Sequence, residues 1–173
     1  MSPIRDLPIK DSGAVFSPCQ AYRYSLWRVW NAQAPKVLFI GLNPSTADAE
    51  NNDPTIRRCI GFANEWGYGG VYVANLFSWR SPHPRLLKQA AEPIGEHTND
   101  WLVKLNDETD LTIACWGNNG SFQHRDIAVM GFLKGLHCLR MTKQGNPSHP
   151  LYLPKHLAPI RFNPNLSCAG LTE

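Results

Sequence analysis

The stretch VLFIGLNPSTAD, residues 37–48, decides the fold of this chain. Its first four residues form an unbroken apolar run, which predicts a strand buried on both faces. The run ends abruptly in Gly41-Leu42-Asn43-Pro44-Ser45, a set of polar and turn-forming residues. A buried strand that passes straight into a polar loop is typical of a parallel sheet, whose ligands bind beyond the carboxyl ends of its strands.

Three further apolar runs end in the same way. They are VYVANL, LTIACWG and HCLRM, and their polar loops begin at Asn75, Gly117 and Thr142. Asp53 and Pro54 form the N-cap and first position of a helix after the first loop. This alternation of strands and helices predicts an α/β fold, a three-layer α/β/α sandwich with a mostly parallel four-stranded sheet. The four loops are then expected to meet at one edge of that sheet.

The remaining chain adds an N-terminal element and two helices. Residues 21–30, AYRYSLWRVW, alternate apolar or aromatic with polar side chains, which predicts an edge strand, or half of a hairpin with residues 36–40. Residues 1–20 are interpreted as an irregular lead-in. Helices are predicted over residues 95–105 and 124–133. No linker divides the chain, so we expect a single domain over residues 1–173, with its core at about residues 21–157.

Composition limits the functional classes. Of 173 residues, 43% are hydrophobic and 18% charged, as in ordinary globular proteins. The absence of a long apolar run predicts no membrane span, and the N-terminus has no apolar core of a secretory signal. Five scattered cysteines without a CxxC pair predict reduced thiols and a cytoplasmic location. The chain is expected to be a monomer, and its net charge of +3 is compatible with DNA binding.

The polar residues that follow the strands are mostly amides. The chain has no GxGxxG, GxxxxGK[ST] or GxSxG motif, and its six histidines are dispersed, so no cofactor and no metal are expected. Asn43, Asn75 and Asn146 instead offer both a donor and an acceptor, which suits reading a base edge or orienting a water. Asp48 and Asp53 are the nearby carboxylates that can act as a base, although capping is the commoner role for Asp53.

These motifs, taken in order, resemble the uracil-DNA glycosylase superfamily. VLFIGLNPS resembles its first motif, and GVYVANLFSWRSPHP resembles the strand that ends in Thr-Asn in thermophilic-type members. LTIACWGNNG looks like the strand that ends in Leu-Gly, and KQGNPSHPL is similar to the last motif. The spellings YRYSLWR, LNPSTAD, DPTIRRC and HPLYLP are also similar to a bacterial family known only as a domain of unknown function, which brings no activity.

The superfamily resemblance implies roles for individual residues. Asn43 would orient the hydrolytic water, helped by Asp48 because an amide cannot take a proton. Asn75 would read the pyrimidine edge, Asn146 would lie beside the base and the sugar, and Ser148 would contact the DNA backbone. The other implied substrate-binding residues belong to the same motifs: Gly41, Pro44, Ser45, Gly117 and His149.

The resemblance implies a DNA glycosylase that hydrolyses the N-glycosidic bond of a damaged or modified base flipped out of DNA. Candidate phosphate contacts are Arg57, Arg58, Arg80 and Lys143. A non-catalytic module that binds a nucleotide or nucleic acid is the main alternative. A hydrolase of free nucleosides is the third.

Two departures from the superfamily pattern matter for the site. Thr55 stands where related enzymes stack an aromatic ring on the base, so Phe62, Phe77 or Trp79 would have to replace it. Ser45 stands where the superfamily has the Gly that lets the base approach closely. Trp79 and Trp116 lie beside two site loops and can also stack on a base. In addition to these two departures, the four cysteines that hold an iron–sulfur cluster in the thermophilic branch are missing, so no cluster is expected.

Overall fold

The apolar run VLFI lies in strand β3 (Lys36–Gly41), the middle strand of a mixed sheet in the computed structural model. The structure describes residues 7–164, and within them the sheet has seven strands. The others are β1 (Asp11–Phe16), β2 (Arg23–Val29), β4 (Gly70–Asn75), β5 (Leu111–Ala114), β6 (Leu136–Cys138) and β7 (Ile160–Arg161). They are arranged in the order β1-β2-β4-β3-β5-β6-β7.

The prediction of a mostly parallel four-stranded sheet is wrong for the sheet as a whole. The central strands β4, β3, β5 and β6 are parallel neighbours. The pairs β1–β2, β2–β4 and β6–β7 are antiparallel, so three of the six pairings in residues 7–164 are antiparallel and the sheet is mixed. The additional strands come from the segments at either end of the parallel set, where the apolar pattern is weak or very short.

The N-terminal region pairs differently from the prediction. Strand β2 forms within residues 21–30, but its neighbours are β1 and β4 rather than β3. It is therefore an internal strand, and β1 occupies residues that were interpreted as irregular. The polar residues of the alternating pattern predicted a solvent-facing edge strand. Arg23 and Arg28 are instead 2% and 1% exposed, and their guanidinium groups form hydrogen bonds inside the protein.

Four helices connect the strands in the described part of the chain. They are α1 (Pro54–Glu65), α2 (Pro84–Leu87), α3 (Thr98–Glu108) and α4 (Arg125–Met130), and a 3-10 segment (Asn118–His124) precedes α4. The Oδ1 of Asp53 accepts a hydrogen bond from the Ile56 amide at 2.9 Å, so α1 begins as predicted. Helix α3 begins later than predicted, because Gly95 has a φ of +94°. No helix within residues 7–164 has the length and apolar character needed to cross a bilayer.

Helices cover both faces of the sheet. Alternate side chains of β3 belong to different cores: Val37 and Phe39 pack with α1, whereas Leu38 and Ile40 pack with α3 and α4. All four are fully buried, which is the physical reason for the unbroken apolar run. Because both faces are covered, the polar side chains that follow the strands gather at the carboxyl edge of the parallel set.

Candidate functional site

A cavity of ≈ 570 Å³ lies at the carboxyl ends of β3, β4 and β5. Gly41 and Asn75 end two of these strands, and Trp116 follows the third. The first residues of α1, Pro54 and Thr55, also line the cavity. Its volume lies within the range of about 300–1,000 Å³ that is typical of small-molecule sites.

Buried apolar side chains line part of this cavity. Phe39 and Val73 come from the sheet, and Cys59 comes from α1. Burial raises the pKa of Cys115 to about 12 and holds the pKa of Cys59 well above its ordinary value. Both side chains are therefore neutral thiols near neutral pH, and they act as small apolar groups rather than nucleophiles.

Asn43 lines the cavity and also fastens two loops together. Its Nδ2 donates to the backbone oxygens of Pro44, Trp79 and Ser81 at 3.2, 3.3 and 3.1 Å. The amide nitrogen is thus committed to the protein. Its Oδ1 has no hydrogen-bond partner among the described residues, and an amide oxygen can accept a hydrogen bond from a water.

Asn75 is held by an arginine that motif reasoning missed. The Nη2 of Arg23 donates to the Oδ1 of Asn75 at 3.4 Å, and its Nη1 donates to the carbonyl oxygen of Ala47 at 3.0 Å. Arg23 and Asn75 are only 2% and 5% exposed, and both line the cavity. Because Oδ1 accepts from Arg23, the Nδ2 of Asn75 is the end of the amide without a partner in residues 7–164.

The position of Arg23 follows from the antiparallel pairing of β2. Leu26 lies opposite Val73 in β4, so the beginning of β2 reaches the edge where β4 ends. Burial lowers the pKa of Arg23 to about 10, while the charge of Asp53 acts in the opposite direction. The guanidinium is therefore protonated near neutral pH. In the sequence, Arg23 is recognisable only as an arginine in an aromatic-rich strand. Its position at the cavity follows from the pairing of β2 with β4, which the local sequence does not encode.

Asp53 is the one carboxylate among the cavity-lining residues that the structure describes. Its Oδ1 caps α1, and the residue is 9% exposed. The predicted capping role is observed. Because the same side chain lines the cavity, its position is also compatible with the role of a base.

Asp48, predicted to help activate the water, is not among the cavity-lining residues. Its Oδ1 accepts from the backbone amides of Glu50 and Asn51 at 2.9 and 2.7 Å. Backbone hydrogen bonds, those from Asn51 first, lower the pKa of Asp48 to about 2. A carboxylate of such low pKa is a weak proton acceptor, and its contacts close a turn.

The last motif reaches the cavity through His149 and Leu151. Asn146 and Ser148 are not among the lining residues. The Nδ2 of Asn146 donates a hydrogen bond at 3.1 Å to the Oδ1 of Asn118, and Asn118 does line the cavity. Desolvation lowers the pKa of His149, so its imidazole is neutral near pH 7. Asn146 therefore reaches the cavity only through Asn118, and its role beside the base stays a prediction.

Small residues allow the strand ends to approach one another. A Cβ on Gly41 would lie 2.9 Å from the Nδ2 of Asn75. Gly117, which has a φ of +71°, and Ser45 also line the cavity. Pro44 is buried but is not a lining residue, and its carbonyl oxygen accepts a hydrogen bond from the Ser81 amide. The sequence placed Gly41, Ser45 and Gly117 at a common edge, and the structure brings them together.

Trp116 is the indole that lines the cavity. It is 2% exposed, and its Nε1 has no hydrogen-bond partner among the described residues. The other aromatic candidates for base stacking, Phe62, Phe77 and Trp79, are not lining residues. Thr55 does line the cavity, so the aromatic surface comes from Trp116 and Phe39 instead.

The four predicted phosphate contacts fall into two groups, and none of them lines the cavity. Arg57 and Lys143 are exposed. Arg58 donates hydrogen bonds to the backbone oxygens of Pro150 and Leu153, and its guanidinium packs over the ring of Phe62. Arg80 donates to the carbonyl oxygen of Gln20 and packs over the ring of Phe16. Arg58 and Arg80 thus fix neighbouring segments. Within residues 7–164, no group of three His, Cys, Asp or Glu side chains is placed to hold a metal ion.

The chain belongs to the family described as "Protein of unknown function (DUF1643)", whose model matches residues 23–151. The match begins at Arg23 and ends at Leu151, so every cavity-lining residue falls within it. A search of curated proteins gave no match.

Proposed function

We propose that this protein is a DNA glycosylase that hydrolyses the N-glycosidic bond of a damaged or modified base held in the cavity. One observation carries the proposal. Asn43 and Asn75, to which the uracil-DNA glycosylase resemblance assigns the water and the base, line one cavity at the ends of neighbouring parallel strands. A flipped-out nucleotide needs such a pocket, with an apolar wall for the ring and polar groups for its edge.

Base reading is assigned to Asn75. The hydrogen bond from Arg23 holds its Oδ1, which leaves the Nδ2 to donate to a carbonyl oxygen of the base. Trp116 and Phe39 supply aromatic surface for the ring. A buried donor of this kind discriminates strongly, because a base without the matching acceptor leaves it unpaired.

Water activation is assigned to Asn43 and Asp53 together. The Oδ1 of Asn43 accepts a hydrogen bond from the water, and the carboxylate of Asp53 takes its proton. The anionic carboxylate also stabilises the positive charge that develops on the sugar as the bond breaks. Asp53 replaces Asp48 in this account, because Asp48 lies outside the cavity lining.

The test is a panel of oligonucleotides, each carrying one uracil, hypoxanthine, xanthine or modified pyrimidine, in single- and double-stranded form. Alkaline cleavage after incubation reveals abasic sites. The proposal expects abasic sites at one or more of these bases. A panel without abasic sites, at protein in excess over DNA, would contradict it.

A non-catalytic binding module is the alternative that specific contacts favour. Asn43 forms three hydrogen bonds to the backbone, and Asp53 caps α1, so both residues have a structural role that does not require catalysis. On this alternative, a nucleotide or oligonucleotide raises the melting temperature while no abasic site forms. A hydrolase of free nucleosides would instead release base from nucleosides and bind DNA without a steep dependence on salt.

A further inference from the structure

The indole of Trp116 is held in place by packing rather than by a hydrogen bond. The side chain is 2% exposed, and its Nε1 has no hydrogen-bond partner in the described part of the chain, although a buried indole usually has one. Phe162 packs edge-on against the indole, with 5.8 Å between the ring centroids. The position of this ring therefore depends on the shape of its surroundings.

Gly120 is the residue that leaves room for the indole. A Cβ added at Gly120 would lie 2.1 Å from Cδ1, 2.7 Å from Nε1 and 2.9 Å from Cγ of Trp116, and Cβ atoms essentially never come closer than 3.0 Å to another atom. The backbone of Gly120 does not have a positive φ, so its conformation does not require glycine. The space that Trp116 occupies does.

The 3-10 segment that carries Gly120 is fastened more firmly than the indole. The Oδ1 of Asn118 accepts hydrogen bonds from the Oγ1 of Thr142 at 2.7 Å and from the Nδ2 of Asn146 at 3.1 Å. The amide of Gly120 itself donates to the carbonyl oxygen of Gly117 at 3.3 Å. A methyl group at Gly120 is therefore expected to move the indole rather than the segment.

An indole displaced from Gly120 has one open direction. Trp116 belongs to the apolar core between the sheet and the helices α3 and α4, whose buried members include Ala114 and Val129. A packed core of this kind resists the entry of further atoms. The cavity of ≈ 570 Å³ adjoins the indole, since Trp116 is one of its lining residues. Displacement of the indole therefore narrows the cavity.

We propose that Gly120 and Trp116 together determine the largest ring system that the cavity admits. Gly120 lets the indole lie against the 3-10 segment, and the indole forms the wall that limits the ligand. A two-ring base fits beside this wall, whereas a side chain at Gly120 leaves space for a one-ring base. The inference rests on the proposed function in taking a nucleobase as the ligand, and it adds the residues that select its size.

The other walls of the cavity are less adjustable than the indole. Phe39 and Val73 lie opposite each other in paired central strands. The side chain of Asn43 is fastened by its bonds to backbone oxygens, and that of Asn75 by Arg23. A change in the width of the cavity therefore depends most directly on Trp116.

The first arm of the test measures the cavity without a ligand. Crystal structures of the wild-type protein and of Gly120→Ala are compared, and we expect the indole of Trp116 to lie farther into the cavity in the variant. An indole that stays in place while the 3-10 segment shifts would overturn the inference. Gly131→Ala is the control, because a Cβ there would come no closer than 3.2 Å to its neighbours and Gly131 does not line the cavity.

The second arm measures size selection by binding and needs no catalysis. Each protein is titrated calorimetrically with uracil, a one-ring base, and with hypoxanthine, a two-ring base. The readout is the ratio of the hypoxanthine affinity to the uracil affinity. We expect Gly120→Ala to lower this ratio about 10- to 200-fold, the range by which one methylene group changes discrimination in an apolar pocket. Gly131→Ala should leave the ratio unchanged.

Trp116→Phe tests whether the effect of Gly120 passes through the indole. A phenyl ring is smaller, so Gly120→Ala should change the ratio much less in the Trp116→Phe background. An unchanged ratio in Gly120→Ala, the same fall in both backgrounds, or no binding of either base to wild-type protein would each overturn the inference. If Gly120→Ala does not fold, Trp116→Phe decides alone. The smaller wall should raise the affinity for the three-ring base ethenoadenine relative to hypoxanthine, and an unchanged relative affinity would contradict the inference.

Abasic-site formation on the oligonucleotide panel separates this inference from the proposed function. It is measured with the same preparations. A ratio that depends on Gly120 through Trp116 without any cleavage supports the inference and contradicts the glycosylase. Cleavage by wild-type protein with a ratio that is the same in Gly120→Ala supports the glycosylase and overturns the inference.

Discussion

The Nη2 of Arg23 donates a hydrogen bond to the Oδ1 of Asn75 at 3.4 Å, which joins the beginning of β2 to the end of β4. The contact connects an antiparallel strand to a parallel one at the cavity. It also fixes which end of the Asn75 amide is occupied. The base-reading role proposed for Asn75 therefore depends on Arg23.

Asn75→Asp tests this dependence. The new carboxylate would form an ion pair with Arg23, and the Nδ2 donor would be lost. We expect an unchanged or higher melting temperature and a loss of base affinity of about 10- to 100-fold, because a carboxylate cannot donate to a carbonyl oxygen of the base. Calorimetric titration with uracil measures the affinity. Asn119→Asp, an exposed change of the same charge at the same cavity, is the control and should have a much smaller effect.

Asn43→Asp tests the contacts of the water-binding amide. The substitution replaces a donor nitrogen by an oxygen that faces the carbonyl oxygens of Pro44, Trp79 and Ser81. We expect Asn43→Ala to lower the free energy of unfolding by about 1–3 kcal/mol, the cost of leaving polar groups unpaired. Asn43→Asp should cost more, because it adds repulsion. Urea denaturation of both variants decides, and an aspartate variant as stable as wild type would refute these contacts.

Arg57 and Arg58 are adjacent residues with different expected effects. Arg57 is exposed, so Arg57→Ala should leave the melting temperature unchanged and reduce the salt slope of DNA binding by about 1, the effect of one lost phosphate contact. Arg58 holds the backbone at Pro150 and Leu153, so Arg58→Ala should lower the melting temperature. Thermal scans and binding titrations at several salt concentrations compare the two. The reverse pattern would show that Arg58 is the phosphate contact.

Asp48 should make stability depend on acid pH. Its folded pKa of about 2 is below the ordinary value of 3.8, chiefly because backbone amides donate to its carboxylate. The charged form is thus favoured in the folded state, and this stabilisation is complete above the ordinary pKa and is lost as pH falls toward 2. Asp48→Asn should destabilise the protein at neutral pH and have a smaller effect near pH 2. Urea unfolding at both values checks this, and an equal effect at both would be inconsistent with the hydrogen bonds.

The sequence predicts the central strands and the site edge well, because strong local signals encode them. The run VLFI is buried on both faces, and Asp53 caps α1 through its side chain. Asn43, Asn75, Gly117 and Asn146 are predicted to cluster at one edge; the first three line one cavity, and Asn146 is not among its lining residues. The family match agrees with the predicted similarity to a domain of unknown function.

Long-range contacts decided the rest, and no local pattern contains them. Residues 21–30 form a strand as predicted, but its partner β4 lies far along the chain, so the position of Arg23 could not be inferred. Asp48 and Asp53 look alike as carboxylates near a polar loop. Only the course of that loop places Asp53 in the cavity lining and turns Asp48 toward the amides of Glu50 and Asn51.

The most direct test of the account compares abasic-site formation by the wild-type protein, Asp53→Asn and Asp53→Ala on the same oligonucleotide panel. Asparagine caps a helix about as well as aspartate, whereas alanine should cost about 1 kcal/mol of stability. We predict that wild-type protein forms abasic sites at one or more of these bases, and that Asp53→Asn keeps its melting temperature but slows single-turnover cleavage about 100-fold or more, since an amide cannot accept the proton. Absence of abasic sites with wild-type protein, or equal rates for wild type and Asp53→Asn, would contradict the account.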